Sequence, residues 1–294
     1  MLIDLQLHST YSDGYLTPTE LAGFISKFGI KIAALTDHNT VGGIDEFRNA
    51  CATHNIQAVT GVEIYTYLDH HRFNVLWYNF DDTHPKLHTI LRESQVRRRR
   101  LVRAALYRLE KHGFLIETER ILDKYTHYIP LNHIIDDVLS EEKNRQLVKK
   151  ELKIDNPQEI DVIQHYLRNR DIGKLRNGLI NFERITKLRK DIGGQLVLCH
   201  PTKHQNHKTI DQNFWRKLHK LGMDGIETLS PHHSFSAIAH MQKIAREIGF
   251  IETGGSDFHK EISEDNLMKY SWQYFTINSN LLNGVEVVLK NKTS

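Results

Sequence analysis

Cysteine is scarce: Cys51 and Cys199 are the only two in 294 residues. That count excludes a disulfide framework and suits a reducing compartment, so a cytoplasmic setting is expected. Long apolar runs are lacking as well. None approaches the ~20 residues that a membrane-spanning helix needs, so no membrane partner is expected. The N-terminus enters a strand-like run at once, with no basic region or small-residue cleavage site, and no signal peptide is expected. A strong excess of one charge is also missing. The formal net charge is +3, too small to imply a nucleic-acid partner by itself. No internal repeat or low-complexity tract interrupts the chain. What remains is the composition of an ordinary globular protein, 39% hydrophobic and 26% charged, long enough for one large α/β domain or a domain with an insertion.

Histidine is abundant instead, at 19 residues, and its placement matters more than its count. His8 follows Leu2 to Leu7, His38 follows the run Ile32 to Thr36, Glu63 follows Ala58 to Val62, and His200 follows Leu196 to Cys199. Asp257 and His259 lie in Gly254-Gly255-Ser256-Asp257-Phe258-His259, just after Ile248 to Ile251. Runs of that length and β-branched content read as buried parallel strands. Polar groups at the carboxyl ends of such strands converge on one face of an α/β fold. Asp13 joins them from Ser12-Asp13-Gly14, where the glycine permits a tight turn.

The order of elements supports an α/β class. Strands are expected at about Leu2 to Leu7, Ile32 to Thr36, Gln57 to Ile64 and Phe73 to Tyr78. The first helix starts with Thr17 as N-cap, Pro18 as first helical residue and Glu20 as the reciprocal capping partner, and stops near Gly29. A second helix follows Gly42-Gly43. This is the βαβ rhythm of a parallel sheet or barrel. Between His84 and Lys190 the pattern turns helical, with Leu101, Val102, Ala105, Leu106 and Leu109 on one apolar stripe. The expected organisation is a β/α barrel from 1–83 and 191–294, with a helical insertion at 84–190 capping the mouth. Strands resume near Gln195 to His200, Gly225 to Leu229 and Phe250 to Gly254.

The candidate metal ligands are therefore His8, Asp13, His38, Glu63, His200, Asp257 and His259. Gln6 shares a strand face with His8, because alternate residues point the same way. Mixed imidazole and carboxylate donors suit Mn, Fe or Zn, and the absence of cysteine from this set argues against a structural zinc site. Glu63 can bridge two cations with its two oxygens, and Glu63 and Asp257 are the expected catalytic pair. Clustered divalent ions can activate water and clamp a phosphoryl group in displacement. Taken singly, each residue has a bland explanation: a strand-end histidine is usually hydrogen-bonded structure, and Asp13 alone would be a turn aspartate. Recurrence at one edge of successive strands is what singles out the set.

These residues resemble the PHP family of metal-dependent phosphoesterases. The matching pieces are Asp4-Leu5-Gln6-Leu7-His8-Ser9 with Ser12-Asp13-Gly14, Leu35-Thr36-Asp37-His38-Asn39-Thr40, Gly61-Val62-Glu63-Ile64, Cys199-His200-Pro201, and Gly255-Ser256-Asp257-Phe258-His259. They span nearly the whole chain in the family's order. The resemblance implies a distorted seven-stranded β/α barrel with one to three divalent ions. The subgroup it is most similar to removes phosphate from nucleoside bisphosphates or trims nucleotides from RNA 5′ ends, so a small phosphorylated nucleotide or an RNA 5′ end is the implied substrate. Two positions depart from the pattern. Gln6 stands where the first histidine of His-x-His belongs, and Asn74 replaces a later histidine. An amide oxygen is a weaker donor to transition ions than imidazole. His71 faces the other side of its strand from Asn74, and His70 is roughly 13 Å away along it. The position resembling Asp13, His38 and His259 keeps its full set.

For substrate contact the candidates are Lys203, with His204, after Cys199-His200-Pro201, and His232, with His233, in Ser230-Pro231-His232-His233. Arg97 to Arg100 can contact phosphate, although four consecutive arginines on a helix point four ways. The leading expectation is a phosphoester hydrolase. The alternative is a metal-depleted binding module with little or no turnover, in which Gln6 and Asn74 leave too few strong donors. A phosphomonoesterase of the same barrel acting on histidinol phosphate is a third reading.

Overall fold

The protein is described by a computed structural model over residues 1–175, 178–202, 211–260 and 277–290. The first strand, β1 (Ile3–Leu7), is wholly buried, as is β2 (Ile32–Leu35), which is why both read as near-continuous apolar runs. Between them lies α1 (Pro18–Ser26), opened by the reciprocal capping box that the sequence predicts. The backbone N–H of Thr17 donates to Glu20 Oε2 at 2.8 Å, and Glu20 N–H donates to Thr17 Oγ1 at 3.2 Å. Thr17→Ala should cost about 1 kcal/mol. A thermal melt should register that as a fall of roughly 2–4 °C; an unchanged midpoint would mean the cap is redundant. Gly29 lies beyond the helix end with φ of +73°, a backbone conformation that glycine adopts without penalty.

The chain then runs through α2 (Ile44–Thr53), β3 (Gln57–Leu68) and β4 (His71–Tyr78). After α3 (Pro85–His112), α4 (Thr118–Asp123), α5 (Leu131–Ser140), α6 (Glu142–Leu152) and α7 (Glu159–Val162) come β5 (Ile180–Asn181) and α8 (Phe182–Ile192). The last part carries β6 (Gln195–Cys199), α9 (Gln212–Lys220), β7 (Gly225–Leu229), α10 (Phe235–Ile248), β8 (Ile251–Gly254) and α11 (Glu286–Leu289). Strand order is β1-β2-β3-β4-β6-β7-β8, with β5 attached to β3. The curl nearly closes, because Leu7 bridges Phe258 just beyond β8 and His8 N–H donates to the Phe258 carbonyl at 3.0 Å. The result is a seven-strand barrel in an α/β chain.

One strand breaks the expected parallel rhythm: β4 runs antiparallel to both β3 and β6. Only Asp69 and His70 separate β3 from β4, and Asp69 sits at φ +50°. Two residues suffice for a hairpin, whereas a parallel return needs a crossover of a dozen or more. The register this sets places Asn74 directly opposite Cys199.

The chain divides into two compact units, Met1–Thr89 with Leu179–Ser294, and Ile90–Gly178. In the first, Leu21, Phe24, Ile25, Phe47 and Cys51 pack α1 and α2 against Ala33 and Leu35. The second has its own core, in which Val102, Ala105, Leu106 and Leu109 of α3 meet Ile134, Val148 and Tyr166. Among the described residues no helix is long and apolar enough to cross a membrane.

Candidate metal centre

Strand ends bring the seven candidate ligands together. Every one belongs to a group of donor atoms lying within 4.8 Å of one another: His8, Asp13, His38 and His259; His8, Glu63 and Asp257; and Glu63, Cys199 and His200. His8 Nε2 is 3.2 Å from Glu63 Oε2 and 3.1 Å from Asp257 Oδ1. Asp13 lies 3.3 Å from His38 Nε2 through Oδ2 and 3.4 Å from His259 Nε2 through Oδ1. His200 Nε2 is 3.2 Å from Glu63 Oε1. His8, Glu63 and Asp257 are almost wholly buried, whereas Asp13 and His259 have side chains about a fifth exposed. The cluster therefore opens on the Asp13–His259 side.

Local structure explains how each side chain arrives there. Ser9 N–H and Oγ–H donate to Asp37 at 2.8 and 2.6 Å, and Ser12 Oγ–H donates to the same carboxylate at 2.5 Å. Asp37 thereby fixes the loop between His8 and Asp13. Gly14 serves that loop by close approach: a Cβ there would sit 2.2 Å from the His8 carbonyl oxygen. Glu63 follows the β2–β3 register, bridged to His38, and its carbonyl accepts from Asn39 N–H at 2.8 Å. Asp4 accepts from Gln6 N–H and Ser256 N–H, tying β1 to the Ser256–His259 segment. Asp257 and His200 hold φ of +51° and +22°. Such strained non-glycine backbone is concentrated at functional sites.

The spacing of these atoms fits bound cations. With bonds of about 2.1 Å, two donors on one ion lie about 3.0–3.4 Å apart, and the closest contacts here fall in that range. Neither ring nitrogen of His8 is aligned for a hydrogen bond, although both face carboxylates. His259 Nδ1 lies 2.7 Å from the Asp257 carbonyl oxygen. A carbonyl only accepts, so Nδ1 carries a proton and Nε2 is the atom turned to Asp13, as in metal-ligating histidines.

Charge in the cluster is mutually compensated. Burial works against a charged His8, but Asp257 and Glu63 outweigh it and hold its pKa well above the usual imidazole range. Burial likewise opposes ionisation of Glu63, yet His38, His200 and His8 hold it well below the usual carboxylate range. Asp13 is lowered in the same way by His38 and His259 against its own burial. A divalent ion would take over that compensation and leave the imidazoles neutral.

The two departures from the expected ligand pattern both touch Glu63. Gln6 Nε2 donates to Glu63 Oε2 at 3.2 Å, and Asn74 Nδ2 donates to Glu63 Oε1 at 2.6 Å. Cys199, which the ligand search in the sequence passes over, lies beside them, 3.5 Å from Glu63 Oε1. Alternation along a strand puts Cys199 and His200 on opposite faces. The positive φ of His200 cancels that rule just past β6.

The substrate candidates separate clearly. His232 Nε2 lies 2.6 Å from Asp257 Oδ2, on a side chain 18% exposed. His233 is buried, and its Nδ1 is 2.9 Å from the Thr228 carbonyl oxygen, so it is structural. Lys203 and His204 lie outside the described residues. In the helical unit, Arg98 Nε donates to the Ile129 carbonyl at 2.6 Å and its guanidinium covers the Tyr128 ring. Arg99 donates to the carbonyls of Leu122 and Tyr125. Those two arginines hold helices together.

The chain is similar to several known proteins. Over 110 residues the chain is 40% identical to a 5′-3′ exoribonuclease of Haemophilus influenzae, an alignment covering 37% of this chain and 40% of that one. The chain thus spans well under half of that relative's length. A 3′,5′-nucleoside bisphosphate phosphatase of Chromobacterium violaceum is 27% identical over 265 residues, 87% of each chain. Among solved structures, a Chromobacterium violaceum amidohydrolase superposes with a TM-score of 0.72 at 23% identity, over 94% of this chain and 96% of the other; it shares the fold. The PHP domain matches residues 4–173, more than half of the sequence and three of the five motifs that carry the resemblance. The chain belongs to the PHP family, the metal-dependent phosphoesterases.

Proposed function

We propose that this protein hydrolyses phosphate esters on small phosphorylated nucleotides, a nucleoside 3′,5′-bisphosphate first and an RNA 5′ end second. The observation that carries this reading is the convergence of four imidazoles and three carboxylates, at ligand spacing, in a cluster open on one side. The ranking of substrates follows the relatives: over alignments that span most of both chains, a bisphosphate phosphatase is 27% identical and an Escherichia coli 5′-3′ exoribonuclease 24%. Divalent ions, when bound, supply an activated water and positive charge for the phosphoryl oxygens. We assign His8, Asp13, His38, Glu63, His200, Asp257 and His259 as the residues that hold them, with Mn, Fe or Zn as the suited metals. Glu63 and Asp257 form the inner wall, each facing His8. His232, braced by Asp257 and partly exposed, is assigned a phosphate contact.

A second reading has its own support: the amides of Gln6 and Asn74 donate hydrogen bonds to the two oxygens of Glu63, as a binding module without turnover would allow. Phosphate release from a nucleoside 3′,5′-bisphosphate and nucleotide release from a 5′-phosphorylated RNA separate these readings. Both should be measured with Mn, Fe and Zn supplied in turn. Release from the bisphosphate is expected. Binding of either compound without turnover under all three metals would favour the module and end the hydrolase reading.

A further inference from the structure

The two cysteines occupy opposite surroundings. Cys51 is packed among Leu21, Ile25 and Phe47, and burial pushes its thiol up to about 12. It is a small core hydrophobe. Cys199 is equally buried but has polar neighbours on its sulfur: Gln6 Nε2 at 3.1 Å, Glu63 Oε1 at 3.5 Å and Glu227 Oε2 at 3.9 Å. An amide N–H aimed at sulfur suits a sulfur that accepts.

His200 Nε2 shares Glu63 Oε1 with this thiol, so three donors of different hardness, a sulfur, an imidazole nitrogen and a carboxylate oxygen, come together. A fourth lies beside them. Gln6 is wholly buried, and its Oε1 has no hydrogen-bond partner. Half a turn about its terminal bond exchanges that oxygen with the nitrogen facing Glu63 and Cys199. A cation among these groups would favour the oxygen-inward orientation and satisfy the orphaned atom, which otherwise costs about 1–3 kcal/mol.

We propose that Cys199 is a metal ligand, forming with Glu63, His200 and Gln6 a sulfur-containing position that takes a thiophilic divalent ion such as zinc. The proposal rests on the metal-centre assignment made above and specifies one edge of it. The chain has amides at positions 6 and 74 where the family pattern has imidazoles, and the thiolate supplies a strong donor to the same edge. Soft sulfur selects zinc or ferrous iron over magnesium or manganese. Binding converts the thiol to a thiolate, and its proton passes to solvent.

Cobalt(II) tests this without reference to turnover, since a cobalt–thiolate bond produces a sulfur-to-metal charge-transfer band in the near ultraviolet. Metal-free protein loaded with cobalt should show the band. Cys199→Ser, which keeps the shape of the side chain, should lose it while still binding cobalt at the imidazole-rich positions. Cys51→Ser should keep it. Cobalt bound with visible ligand-field bands but no charge-transfer band would overturn the role of Cys199 and leave the centre standing. A band that vanishes with Cys51→Ser instead would also overturn it. No cobalt bound by any form would remove the metal-centre assignment itself, and this proposal with it.

Discussion

Glu63→Gln should reduce kcat/KM on a phosphomonoester by at least about 10³-fold and empty part of the centre of metal. The substitution preserves shape and removes one charge, so the loss reads electrostatics rather than a cavity. Glu63 is wholly buried, belongs to two of the three ligand groups and faces His38 of the third. Its Oε2 faces His8 and His38, at 3.2 and 3.6 Å, and its Oε1 faces His200 and Asn74. Outer-shell partners of a metal ligand alone account for roughly 10–100-fold in affinity or activity, and a residue shared between groups should exceed that. The loss corresponds to about 4 kcal/mol of transition-state stabilisation. The protein should also melt earlier, because removing one member of a buried charged set leaves the others uncompensated, at about 3–5 kcal/mol. Elemental analysis and turnover on the same preparation check the result. Full metal content with wild-type turnover would remove Glu63 from the site.

Much of this site is legible in the sequence because strand ends are. Most candidate ligands follow a run whose apolar character comes from burial in the barrel wall, so the run marks the strand and its end marks the mouth, while Asp13 comes from a turn. The capping box at Thr17 is equally local: two side chains and two backbone N–H groups within four residues decide it. What sequence reading misses depends on tertiary geometry. The β3–β4 connection at Asp69-His70 carries no glycine, so nothing announces a hairpin, and β4 reads as another parallel strand. Cys199 is hidden because alternation assigns it the face away from His200, and only the backbone turn at His200 lets both reach Glu63. Gly14 is read as turn freedom, whereas the structure shows that the His8 carbonyl leaves no room for a Cβ. His233 reads as a substrate candidate beside His232, yet it is buried and the Thr228 carbonyl captures it.

Chelation should lower the melting temperature of the protein by roughly 10 °C and loosen the centre selectively. A ligand present at about 1,000 times its dissociation constant stabilises the folded state by about 4 kcal/mol, and each kcal/mol moves the midpoint of a domain this large by about 2–4 °C. Where that stability resides follows from the contacts. The loop from His8 to Asp13, the turn at His38 and the segment from Ser256 to His259 are held partly by Asp37 and Asp4. Backbone bonds such as His8 N–H to the Phe258 carbonyl and Asn39 N–H to the Glu63 carbonyl add to this, and the ligand set, in which imidazoles and carboxylates must otherwise balance one another's charge, is a further constraint. Hydrogen exchange followed by mass spectrometry should therefore show faster exchange in those three segments after metal removal. The helical unit Ile90–Gly178 contributes none of the assigned ligands and has its own core, so α3 and α5 should keep their protection. Readdition of zinc or manganese should restore both midpoint and protection. Equal midpoints and equal exchange with and without chelator would mean that the seven residues are satisfied by one another, and that the centre holds no ion.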